Sequence, residues 1–159
     1  MIPSLPDLCD AHGDLVKVAE PLFHDFGALR AFHGPITTIK CHEDNALVRA
    51  TFETPGAGRV LVIDGGGSLR RALVGDKIGS LMIANGWAGV LVYGAVRDVE
   101  VLATMPVAVR ALGVTPIPPI KEGVGERDVT VRFAGVDFTP GQWLYADENG
   151  VLVSATRLA

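Results

Sequence analysis

Three short segments of this sequence carry residue types suited to anion binding, acid–base work or metal ligation: Asp64-Gly65-Gly66-Gly67-Ser68, Gly75-Asp76-Lys77-Ile78 and Gly94-Ala95-Val96-Arg97-Asp98. In open α/β sheets ligands collect beyond the carboxyl ends of parallel strands, so loops that follow such strands are the first place to look, and all three segments are expected to converge there. The triple glycine lets backbone amides approach an anion closely. It serves equally as a tight turn, and it has neither the Lys of a Walker A loop nor the GxGxxG spacing of a dinucleotide site. Residues 75–78 open a helical pattern, and a helix start offers unpaired N–H groups and roughly half a positive charge to a carboxylate. Asp76 there either meets a ligand or only caps the helix. Arg97 and Asp98 are adjacent in a loop, where neighbours point to different sides. Asp98 can hold a hard divalent cation such as Mg²⁺ or Mn²⁺ while the guanidinium fork of Arg97 reaches an oxyanion of the same ligand. As a mere surface ion pair the two would contribute little. His12, His24, His33 and His42 lack HxxxH spacing and all precede the glycine-rich loops, so no zinc site is expected.

The elements that must position these residues are short. Residues 59–64 (RVLVID) and 89–93 (GVLVY) are near-continuous apolar runs bounded by glycine, the pattern of strands buried on both faces. Between them Asp76 reads as an N-cap, with Ile78, Leu81 and Met82 at helical spacing up to the Asn85-Gly86 stop. A βαβ unit with a right-handed parallel crossover is therefore expected over 59–93. Helices are also expected from Asp7 towards Lys17, over Ser68–Val74 and over VEVLATM after Asp98; PITTIK (35–40) and VAVRAL (107–112) read as strands, and 46–53 reads as either. The last third, with VTVRFAG, VDFTPG, WLYADENG and VLVSAT, alternates with period 2 between turn dipeptides and reads as antiparallel strands.

The 159 residues point to one domain, and 48% hydrophobic against 20% charged residues gives enough apolar material for a core. Net charge −4 without a basic block disfavours direct nucleic-acid binding. Asp7, Asp10 and Asp14 stand where a secretory signal would need basic residues and then an apolar run, and no apolar stretch reaches membrane-spanning length, so a cytoplasmic protein off the membrane is expected. Cys9 and Cys41 follow no metal or redox spacing and are expected to be free thiols.

DLCD (7–10), VAEPLFHDFG (18–27), FHGPITTIKCHEDNALV (32–48), GRVLVIDGGGSLRRALVGD (58–76), GWAGVLVYGAVRD (86–98), GVGERDV (123–129) and YADENGVLVS (145–154) together resemble the RraA-like proteins. That family is named after the regulator of ribonuclease E activity A and is related to 4-hydroxy-4-methyl-2-oxoglutarate aldolases. The resemblance implies one α/β domain over 1–159, of the swivelling β/β/α type with a mixed, partly parallel sheet, assembled as a homotrimer. It also implies two functions. Catalytic members carry Asp, twenty intervening residues, then Arg-Asp, and Asp76 with Arg97-Asp98 fits that spacing. By carry-over, Gly75, Asp76, Lys77 and Ile78 contact substrate, Arg97 binds it, Asp98 holds Mg²⁺ or Mn²⁺, and Asp76 and Arg97 are catalytic. The implied reaction is cleavage of a 2-oxo acid to pyruvate, with oxaloacetate decarboxylation as a side activity. A Schiff base through Lys77 is the enzymatic runner-up. Regulatory members instead inhibit ribonuclease E, and net charge −4 suits a basic partner. An S-adenosylmethionine-dependent methyltransferase is not expected, because GGGS has the wrong context for a nucleotide fingerprint.

Overall fold

The computed structural model describes residues 2–159. In chain order the elements are α1 (Leu5–His12), a 3-10 turn (Gly13–Leu15), β1 (Val16–Val18), β2 (His24–Asp25), β3 (Phe32–Lys40), α2 (Ala46–Phe52), β4 (Val60–Asp64), β5 (Ala72–Val74), α3 (Asp76–Ala84), β6 (Gly89–Val96), α4 (Val99–Leu102), β7 (Val109–Val114), β8 (Glu126–Arg127), β9 (Val131–Phe133), β10 (Val136–Phe138), β11 (Trp143–Asp147) and β12 (Gly150–Ser154). One sheet runs β1-β12-β11-β3-β4-β6-β7-β2, with β5 also on β6 and β8 also on β3. Its centre, β3-β4-β6-β7, is parallel, and β11, β12 and β1 extend it as antiparallel strands.

The apolar runs occupy the middle because both of their faces are covered. Leu61, Ile63, Val90 and Val92 pack under Val48 and Phe52 of α2, Ile78 and Met82 of α3 and Leu102 of α4. Val60, Val62 and Leu91 face the other way, against Val131, Phe133, Val136 and Phe138 of the β9-β10 hairpin. Alternation with period 2 thus feeds two apolar layers from one strand. The order is hairpin, sheet, helices, which gives the expected β/β/α layering. On the antiparallel wing, Leu5 and Leu8 of α1 cover Tyr145 and Leu152.

Several local expectations are corrected. Ser68–Val74 is not a helix; a turn leads into β5, whose three residues are all buried. The cause is β6, which runs three residues past the end of β4 and needs a partner there. Val74 takes that place opposite Val96. Strand pairing overrides local helix preference. The first helix starts at Leu5, with Ser4 as its cap, and stops at His12 rather than running on to Lys17, because Val16–Val18 pairs with β12. Residues 46–53 resolve to a helix, and VAVRAL contributes to a strand that begins at Val109.

Candidate functional site

Val74 lies opposite Val96 on parallel neighbours, so the residues that follow, Gly75 and Arg97, emerge side by side. The Arg97 N–H donates to the Val74 carbonyl at 3.0 Å and locks that junction. Asp98 then turns back in the left-handed region (φ 58°, ψ 36°) and caps α4 through its carbonyl. This conformation is uncommon for a residue with a Cβ, though Asp tolerates it better than most. It aims the carboxylate at the start of α3: the Asp76 N–H donates to Asp98 Oδ2 at 3.1 Å. Gly75, not Asp76, is the N-cap of α3, and Asp76 is its first helical residue. The backbone of Gly75 is extended, so its need for glycine is spatial. A Cβ there would sit 2.6 Å from Asp98 Oδ2 and 3.3 Å from Arg97 Cγ.

Gly75, Asp76, Lys77, Ile78, Arg97 and Asp98 line one cleft together. Asp76, Arg97 and Asp98 are half-buried, the Lys77 side chain is exposed, and Ile78 is buried with its side chain in the core under α3. The glycine-rich loop does not join them. Gly65 and Gly67 both donate to the Tyr93 carbonyl, four residues back from Arg97, because β4 ends opposite Tyr93 while β6 continues. Gly66 and Gly67 hold positive φ, Gly66 donates to Asp64 Oδ1, and Ser68 donates to Glu43. The loop is a tight turn tied to the segment after β3.

The cleft has a second wall that spacing alone does not show: Asn45, the cap of α2, and Arg49 within that helix, and Pro119 and Lys121 from the loop before β8. Four cationic residues, Arg49, Lys77, Arg97 and Lys121, therefore line one cleft with two carboxylates, Asp76 and Asp98. Asn45 Nδ2 donates to the Leu73 carbonyl at 3.1 Å, tying that wall to β5. Asp44 is buried, and burial raises its pKa. Hydrogen bonds from the N–H groups of Ala46, Val124, Gly123 and Glu122 outweigh that and hold its carboxyl below the usual range. Hydrogen bonds from Ser68 and Arg70 likewise hold the neighbouring Glu43 carboxyl low. No part of this wall stood out in the sequence, because its residues come from two segments about 70 positions apart that carry no shared motif.

The donor set suits a hard cation. Asp98 accepts a single backbone N–H on Oδ2, and Asp76 begins the adjoining helix. Mg²⁺ and Mn²⁺ sites are commonly built from one or two carboxylates, with waters and substrate oxygens filling the remaining positions.

A family model described as RraA-like, Aldolase/RraA, matches residues 5–153. A protein of Xanthomonas campestris pv. campestris provisionally named as a 4-hydroxy-4-methyl-2-oxoglutarate aldolase is 57% identical over 154 residues, 97% of this chain and 92% of that one. The solved structure of the RNA-processing inhibitor RraA from Thermus thermophilis superposes with a TM-score of 0.96 at 43% identity, covering 100% of this chain and 96% of that one. A Geobacillus kaustophilus structure named as an S-adenosylmethionine:2-dimethylmenaquinone methyltransferase gives 0.94 at 43% identity, covering 98% and 97%.

Proposed function

The chain belongs to the RraA-like family, and from that premise we propose that its cleft cleaves 4-hydroxy-4-methyl-2-oxoglutarate-like acids to pyruvate in a divalent-metal-dependent retro-aldol reaction, with oxaloacetate decarboxylation as a second activity. The observation that carries this reading is the meeting of Gly75–Ile78 with Arg97-Asp98 across the ends of β5 and β6. A cleft that gathers two carboxylates and four cations fits a small anionic substrate whose negative charge shifts during reaction. The provisional aldolase names of relatives such as the Xanthomonas protein point the same way.

In the proposed reaction the C4 hydroxyl loses its proton, the C3–C4 bond breaks, and the electron pair moves to the 2-oxo oxygen to give a pyruvate enolate. The second fragment leaves as a 2-oxo acid, and C3 of the enolate then takes up a proton. Arg97 binds at the 2-oxo oxygen, where charge accumulates, so it stabilises the transition state more than the ground state. The substrate carboxylate rests on the N–H groups at the start of α3. Asp76 accepts the hydroxyl proton through a water, and Asp98 would hold the metal. The metal's chemistry, when bound, is Lewis-acid polarisation of the 2-oxo group. Decarboxylation of oxaloacetate passes through the same enolate with carbon dioxide as the leaving fragment. The protein is also proposed to work as a homotrimer.

The test is pyruvate release from both acids, with EDTA and after restoring Mg²⁺ or Mn²⁺. Turnover that EDTA abolishes and metal restores supports the reading. A covalent adduct trapped by borohydride with substrate would replace it with a Schiff base on a lysine.

The likeness to the Thermus RNA-processing inhibitor favours a second reading, inhibition of ribonuclease E through the protein surface. Salt-sensitive capture of that nuclease, together with no metal-dependent pyruvate, would put this reading first.

A further inference from the structure

The second wall of the cleft hangs on one carboxylate. The loop before β8 carries Pro119 and Lys121 and has little regular structure of its own. It is held by a parallel bridge between Asp44 and Ile120, in which the Asn45 N–H donates to the Ile120 carbonyl and the Ile120 N–H donates to the Glu43 carbonyl. Just beyond Lys121 the chain turns around the Asp44 side chain. Asp44 Oδ2 accepts from Glu122 at 3.0 Å, Gly123 at 3.0 Å and Val124 at 3.2 Å, and Oδ1 accepts from Ala46 at 3.0 Å. The Ala46 bond lies at the start of α2, three residues before Arg49. One buried carboxylate thus ties the backbone just after Lys121 and shortly before Arg49, two of the four cleft cations.

We infer that Asp44 is a positioning residue for the cleft: by collecting the backbone N–H groups of 122–124 and of Ala46, it presents Lys121, and with it Arg49, to an anion bound between them and Arg97-Asp98. It deepens the proposed function, since it rests on the cleft assigned there, yet it requires only that the cleft take a small anion. A neutral amide is the informative replacement. Asp44→Asn keeps the shape but cannot offer two acceptor oxygens, and its NH₂ group would oppose N–H donors on one side. Lost acceptors at a buried cluster free the loop that carries Lys121.

The experiment measures the Kd of oxalate, a planar dianion, by amide NMR titration of the wild type, Asp44→Asn, Lys121→Met and the double variant. Folding is checked by circular dichroism. If Asp44 acts by placing Lys121, Asp44→Asn weakens oxalate about tenfold, and the double variant binds within about twofold of Lys121→Met alone, since two changes on one chain of contacts do not add. Unchanged binding in Asp44→Asn, multiplying losses in the double variant, or no oxalate binding by the wild type each overturns the inference. Should Asp44→Asn fail to fold, Gly123→Ala takes its place. Its φ of 87° strains any side chain there and shifts the loop with Asp44 intact, so it should weaken oxalate by about threefold or more. A functional readout separates positioning from bulk stability: Asp44→Asn should raise KM for the 2-oxo acid with kcat kept within about threefold. Coupled oxalate binding without pyruvate release would remove the reaction and leave the inference standing; pyruvate release with independent, multiplying effects would do the reverse.

Discussion

Asp98 carries both a chemical role in the proposed reaction and a backbone constraint, and the two can be separated. Its φ of 58° makes alanine a poor probe, because any loss would mix strain with the missing carboxylate. Asparagine accepts that conformation, so Asp98→Asn should fold with an unfolding temperature close to that of the wild type and lose on the order of 10³-fold in kcat/KM for pyruvate release. Arg97→Lys keeps the charge but loses the planar fork and should cost on the order of 10²-fold. Near-wild-type turnover in either variant, measured on folded protein, would move the chemistry elsewhere. The two cysteines separate in the same way. Burial first, then the nearby Asp44 and Asp64 charges, push the Cys41 thiol up to about 12, whereas Cys9 is partly exposed. At pH 8 only about one Cys41 in ten thousand is then a thiolate, so iodoacetamide should label Cys9 and spare Cys41 in the folded protein, as peptide mass spectrometry would show.

At the scale of elements the site depends on where strands end. Gly75 is extended and needs no special φ, but it leaves room for Asp98 and Arg97. Gly75→Ala should therefore keep secondary structure while displacing the Asp98 carboxylate, lowering kcat/KM by about 10²-fold for a stability loss of about 1 kcal/mol. The segment joining β3 to α2 makes a prediction in acid. Because the folded pKa of Asp44 lies below its ordinary value of 3.8, its contribution is fully present above that value and is lost as pH falls through the lower folded value. Urea midpoints of wild type and Asp44→Asn should differ by a constant amount at pH 5–7 and converge below about pH 4; a gap that widened in acid would contradict the assignment. These junctions explain what was legible beforehand. RVLVID and GVLVY declared themselves because both faces are buried, Arg97 and Asp98 because they come just after such a run, and Asp76 because it opens the helical spacing of Ile78, Leu81 and Met82. Ala72–Val74 did not, since three apolar residues carry no period and only the overhang of β6 makes them a strand. Asn45, Arg49 and Lys121 were invisible for a related reason: the contact that brings them together is a buried carboxylate gripping a loop far along the chain. The glycine-rich loop misled because its glycines meet the demands of a turn beside Tyr93 rather than of a ligand.

At the scale of the whole molecule, the apolar residues left outside the core matter most. Mean hydropathy is +0.33, and Leu69, Val114 and Ile117 keep 51%, 50% and 47% of their surface exposed. They belong to one end of the sheet. Leu69 lies over Gly113, the Ile117 carbonyl accepts from Ala72, and Val114 pairs with Val96 directly before Arg97. The patch therefore adjoins the cleft, and a neighbouring copy seated there would cover apolar surface and shield one rim of the site from water, strengthening the electrostatic interactions inside it. The proposed trimer should sediment at three times 16.8 kDa at micromolar concentration. Val114→Asp places a charge in that patch without touching a buried side chain, so it should shift the protein towards monomer while leaving far-UV circular dichroism unchanged. If the rim matters to catalysis, the same variant should lose pyruvate release in step with the monomer fraction, and raising protein concentration should restore both. A wild type that sediments as a monomer, or a monomeric Val114→Asp with full activity, would detach the cleft from any assembly.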